Sequence, residues 1–134
     1  MLRILVVDDD TAVRSAIKIV LEQDGHEVIL ASNGKAGIAA ADEERFDLVI
    51  CDIFMPGMDG IETINTFHKN NPQMPVIAMS GFTFRDSQHP APDYLSLSTK
   101  LGAAYSLRKP FRPNELLKAV RECASAGPSL QAAG

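Results

Sequence analysis

Three carboxylates stand side by side at Asp8, Asp9 and Asp10, where the apolar run RILVV ends. A further acid, Asp52, closes a second apolar run, LVIC. Ser80 closes a third, VIAM, and Lys109 follows a fourth, AAYSL. Carboxylates gathered in one place cannot all stay ionised without a counter-charge. An all-oxygen donor set favours a hard divalent cation, magnesium before zinc. A hydroxyl and a fixed ammonium beside it would complete a phosphate site. The residue types therefore suit phosphoryl chemistry with magnesium. Two outcomes stay open: hydrolysis of a phosphoester, or acceptance of the group by the chain itself.

Those residues can meet only if the runs that carry them lie side by side. Short apolar stretches at 3–7, 28–31, 48–51, 76–79 and 103–107 read as strands. Between them run helical patterns. Val13, Ile17, Val20 and Leu21 make a stripe over 11–23 that stops at Asp24-Gly25. Asn33 can cap a helix over 35–45, whose buried face is expected from Ala36, Ile38, Ala39 and Ala40. A third helix is expected over 61–69, stopped by Pro72 and Pro75, and a fourth over 94–101. The last runs over 114–124 with Leu116, Leu117 and Val120 inward, leaving a frayed tail from Gly127.

Five βα units whose strands are apolar on both faces predict an α/β fold, a doubly wound parallel sheet covered by helices on both sides. Such sheets bind ligands beyond the carboxyl ends of their strands, near the point where strand order reverses. Asp8, Asp9, Asp52, Ser80 and Lys109 all fall at or just after a strand end. One crevice should collect them.

The bulk properties narrow the function. With 134 residues, one domain is expected, and 46% apolar against 22% charged residues is globular rather than disordered composition. A net charge of −4 argues against a nucleic-acid footprint. No apolar run reaches the roughly 18 residues of a membrane span. Cys51 and Cys123 show no pairing or metal spacing, so both are expected as free thiols in a reducing cytoplasm.

Taken in order, Asp8-Asp9, the stretch CDIFMPGMDG around Asp52, Ser80 and the KPF at Lys109 resemble the receiver domain of two-component response regulators. The resemblance covers residues 3 to about 123, so 1–125 is expected as the receiver domain and 126–134 as a short C-terminal tail. It implies the flavodoxin-like strand order 2-1-3-4-5. It also implies Asp52 as phospho-acceptor, with Asp9, Asp52 and the backbone carbonyl of Phe54 as magnesium ligands and Asp8 acting through water. Lys109, after which the family has a cis peptide bond to proline, and Ser80 would attend the phosphoryl group. The chain would not be an enzyme with turnover. It would be a stand-alone receiver, a monomer or weak homodimer. It would accept phosphate from a sensor histidine kinase or a histidine phosphotransfer protein and bind a downstream protein target.

Three features depart from the family pattern. The aromatic usual three residues before the lysine is Ser106 here, with Tyr105 on the opposite face of the strand. The interval from Ser80 to Lys109 is longer by about two helical turns, the excess falling at 82–92. Phe54 and Phe82 stand where the family admits hydrolytic water, so a long-lived phosphate is expected. Among other residues, Asp10 reads as a helix cap, and Pro56 and Gly60 as fixing backbone shape. A haloacid-dehalogenase-like phosphatase is the rival reading. Its D-x-D-x-[TV] fails at Ala12 and leaves Asp52 unexplained. A phosphorylation-independent interaction module is the second rival, and the intact acids, serine and lysine speak against it.

Overall fold

A strand that is apolar on both faces must be covered on both, and side-chain alternation decides which residue serves which layer. The computed structural model describes residues 1–53, 60–80 and 103–133. Strands β1 (Arg3–Val7), β2 (Glu27–Ala31), β3 (Leu48–Asp52), β4 (Val76–Ser80) and β5 (Tyr105–Arg108) form one parallel sheet in the order β2-β1-β3-β4-β5. The flavodoxin-like order is as expected. Strand order reverses between β1 and β3, whose ends carry Asp8 and Asp52.

The helices among the described residues are α1 (Thr11–Gln23), α2 (Gly34–Glu43), α3 (Gly60–Asn70) and α4 (Pro113–Ala133). Ile4 and Val6 of β1 pack with Ile17 and Leu21 of α1 and Leu116, Ala119 and Val120 of α4. Leu5 and Val7 turn the other way, toward Ile64 and Phe67 of α3 and the partly buried Ile38 of α2. Each fully buried side chain of this kind contributes roughly 1.5–3 kcal/mol. A few of them offset the cost of holding carboxylates at the strand ends.

Local signals start the first two helices as expected. Asp10 caps α1, its Oδ1 accepting from the N–H groups of Ala12 and Val13 at 2.9 and 3.2 Å. Asn33 caps α2 by accepting from Ala36 N–H at 2.8 Å.

Two expectations need correction. The buried face of α2 is Gly34 and Gly37, with Ile38, Ala40 and Ala41 half-buried, whereas Ala36 and Ala39 are exposed. A Cβ on Gly37 would stand 2.7 Å from Val7 Cγ2, so this helix approaches the sheet through a residue that has no side chain to signal it. Next, α4 continues through Gly127 to Ala133 where a frayed tail was expected. It runs on through Gly127 and Pro128, the two residues that helix propensity marks as its end. The helix expected over 94–101 and the long stretch 82–92 lie outside the described residues.

Both cysteines are buried and unpaired. Burial, then the neighbouring Asp52 and Asp8 charges, pushes the Cys51 thiol far up. Burial and Glu122 push Cys123 up to about 11. The thiolate is the reactive form, so iodoacetamide at pH 8 should leave the native chain unmodified and alkylate both thiols in urea. Rapid native labelling of Cys51, read by intact mass, would refute the closed strand. Among the described residues no helix is long and apolar enough to cross a membrane.

Candidate functional site

Every strand end that sequence patterning singled out converges at the carboxyl edge of the sheet. Ladder register sets the neighbours: Asp52 lies opposite Met79, and Ser80 opposite Arg108. Backbone bonds extend the ladder past the strands. Asp8 N–H donates to Ala31 O at 3.1 Å, Ile53 N–H to Met79 O at 2.9 Å, and Lys109 N–H to Ser80 O at 2.8 Å. Asp8 and Asp52 are buried, at 0% and 4% exposure, and Ser80 is at 9%. Asp9 is exposed.

Lys109 supplies the positive charge that the acids demand. Its Nζ donates to Asp8 Oδ2 at 2.8 Å and to Asp52 Oδ2 at 3.1 Å. The Lys109–Pro110 peptide bond is cis, as the family resemblance implied. Burial by itself would lower the lysine's pKa. The hydrogen bond that the lysine donates to Asp8 and the charges of Asp52 and Asp8 outweigh it, and the net shift is upward. The other Asp8 oxygen, Oδ1, accepts from Asp10 N–H at 2.9 Å. A single side chain thus anchors the lysine and shapes the turn into α1.

One carboxylate oxygen each from Asp8, Asp9 and Asp52 lies within 4.8 Å of the others. Two magnesium–oxygen bonds end to end reach about 4.2 Å. Small side-chain movements would bring this all-oxygen set within that reach, and its chemistry suits a hard divalent cation. Asp8 and Asp52, held by Lys109, and the exposed Asp9 are the residues that could hold it.

Gly60 starts α3 against the end of β3. A Cβ there would stand 2.3 Å from Ile53 Cα and 2.4 Å from its carbonyl carbon, both backbone atoms that cannot swing aside. This agrees with its reading as a residue that fixes backbone shape. Gly60→Ala should lose about 1–3 kcal/mol from overpacking, offset by at most about 1 kcal/mol of helix propensity. Urea unfolding should show a lower midpoint, and a variant as stable as the parent would remove the steric reading.

Tyr105 and Ser106 face opposite sides of the sheet, as strand alternation required. Tyr105 packs with the α1/α4 layer, and Ser106 lies opposite Ala78 of the other layer. Phe54, Met55, Pro56, Met58 and Phe82 lie outside the described residues, and so does the Phe54 carbonyl expected as a metal ligand. His26 has other neighbours: its Nδ1 accepts from Leu2 N–H at 3.1 Å, and its Nε2 lies 3.4 Å from Asp24 Oδ2.

The patterning missed Arg14. Its Nη1 donates to Asp8 O at 2.6 Å and its Nη2 to Thr11 Oγ1 at 3.1 Å. The available signal was its place one helical turn after the Asp10 cap, on the part of α1 nearest the strand end.

A family model described as the response regulator receiver domain matches residues 4–121. The transcriptional regulatory protein YkoG of Bacillus subtilis (strain 168), named as uncharacterized, is 35% identical over 118 residues, which are 88% of this chain and 49% of YkoG. The alkaline phosphatase synthesis transcriptional regulatory protein PhoP of the same organism is 32% identical over 119 residues, 89% of this chain and 47% of PhoP. This chain spans about half the length of these two relatives. Among solved structures, a CheY-like response regulator receiver domain protein from Methanospirillum hungatei JF-1 is similar at TM-score 0.80. It is 34% identical, with 92% of this chain and 93% of that one covered.

Proposed function

The chain belongs to the response regulator receiver domain family, and on that premise we propose that Asp52 is its phospho-acceptor, served by Lys109, Ser80 and a magnesium site. Phosphorylation-based signalling is the general function of this family. The observation that carries the assignment to Asp52 is the Lys109 ammonium shared between buried Asp8 and Asp52 at the strand-order reversal.

Asp9, Asp52 and the Phe54 carbonyl would hold magnesium, with Asp8 acting through water. Magnesium, when bound, supplies charge neutralisation during phosphoryl transfer. The remaining work falls to the chain. An Asp52 oxygen attacks phosphorus in line as the phosphorus–nitrogen bond to a donor histidine breaks. The electron pair of that bond leaves on the imidazole. Lys109 Nζ, already 3.1 Å from Asp52 Oδ2, stands within reach of charge on the incoming oxygens. Ser80, beside Asp52 at the end of β4, then hydrogen-bonds the aspartyl phosphate. This shifts an existing equilibrium by the difference in how well two states hold it.

The donor would be a sensor histidine kinase or a histidine phosphotransfer protein, and the output a change in protein binding. The transcriptional regulatory roles named for the longer relatives stay with those proteins. For this chain we propose no direct nucleic-acid contact, a monomeric or weakly dimeric state, and a cytoplasmic setting consistent with its two unpaired thiols.

Acetyl phosphate with magnesium tests the reading. Intact mass should rise by one phosphoryl group, and peptide mapping should place it on Asp52. Uptake on another residue, or none, would overturn the assignment.

A further inference from the structure

Asp9 is the exposed member of the acid cluster, and among the described residues no hydrogen bond holds its side chain. Asp8 is gripped by Lys109 and by Asp10 N–H, and Asp52 by Lys109. The position of the Asp9 carboxylate therefore depends on its backbone. Two side chains hold that backbone: Asp8 Oδ1 accepts from Asp10 N–H in the peptide unit after Asp9, and Arg14 acts on the unit before it. The half-buried Arg14 donates at 2.6 Å to the carbonyl of Asp8, which belongs to the peptide unit joining Asp8 to Asp9. Its second nitrogen is tied to Thr11 Oγ1 at 3.1 Å, so the guanidinium is itself fixed by the first turn of α1.

We infer that Arg14 is a positioning residue for the acid cluster: its charge-assisted bond to the Asp8 carbonyl sets the peptide plane that presents Asp9 to a divalent cation. A hydrogen bond from an ionised donor is roughly twice as strong as a neutral one, and a carbonyl at a strand end has no ladder partner of its own beyond the last pair. The inference rests on the magnesium reading above and adds a residue to it.

Two effects of removing Arg14 have opposite signs, which makes the inference decidable. As a bare cation near a metal site, Arg14 repels magnesium, so its loss would tighten binding. As a clamp, its loss frees the Asp8–Asp9 peptide and weakens binding. Outer partners that orient metal ligands are commonly worth 10- to 100-fold in affinity. Because Arg14 acts on the backbone of one ligand, the lower end applies.

Calorimetric titration of the full chain with magnesium chloride, below the onset of unfolding, should show Arg14→Met binding on the order of ten-fold more weakly than the parent. Arg14→Lys, which keeps one donor and the charge, should recover part of the loss. Thr11→Val alters no charge and loosens the guanidinium, so a smaller weakening of the same sign is expected. If Arg14→Met does not fold, Thr11→Val carries the test alone, and an unchanged affinity counts against the clamp. Arg14→Met binding as tightly as the parent, or more tightly, overturns the inference. A parent chain that binds no magnesium overturns the metal reading itself, a result distinguishable from failure of Arg14 alone.

Discussion

Asp52→Asn is expected to take up no phosphoryl group from acetyl phosphate under conditions where the parent chain gains one. An amide oxygen is a far weaker nucleophile than a carboxylate oxygen, so the change removes the attacking group while keeping its shape. The fold should survive, because Asp8 still holds Lys109 at 2.8 Å and the buried pair loses only one of its two acids. Far-UV circular dichroism and a urea midpoint close to the parent's would show that the lost uptake is chemical. A full-size mass increase on the variant would place the acceptor elsewhere. Asp8, which lies within reach of the same ammonium, would then be the first residue to substitute.

Lys109→Met should be the most destabilising single change at the site when magnesium is chelated. Removing one partner of a buried ion pair typically costs about 3–5 kcal/mol, because the remaining charge is left uncompensated. Here two acids would be stranded, with side chains 0% and 6% exposed against 18% for the lysine. The sign with pH follows from the upward shift of Lys109. A group whose pKa is raised in the folded state gives its full stabilisation below the ordinary lysine range and loses it as pH climbs past that range. At pH 7 the whole effect should be visible in urea unfolding with an unchanged slope. Adding Asp8→Asn to Lys109→Met should recover part of the loss, since only one buried carboxylate then lacks its cation. A loss below about 1 kcal/mol, the worth of an exposed pair, would mean that water already screens these charges.

Asp8, Asp9, Asp52, Ser80 and Lys109 were legible as a set because each stands at the end of an apolar run, and the ends of parallel strands share one edge. The flavodoxin-like strand order came from resemblance to a family and is the order observed. Asp10 and Asn33 were legible as caps because capping is local: a short side chain reaches the N–H groups two or three residues on.

Other features depend on distances between parts of the chain that no spacing encodes. Gly37 carries no hydrophobic signal, yet a Cβ there would stand 2.7 Å from Val7 Cγ2. Lys109 meets Asp8 across 101 positions of sequence and Asp52 across 57, and its sharing between the two is a matter of packing. Arg14 gains its role only where the fold sets its guanidinium on the Asp8 carbonyl. Residue type and strand position by themselves determined which polar groups stand at the carboxyl edge of the sheet. The tertiary structure alone decided which atoms face one another, because a hydrogen bond is made or lost within a few tenths of an ångström and sequence periodicity resolves only the face.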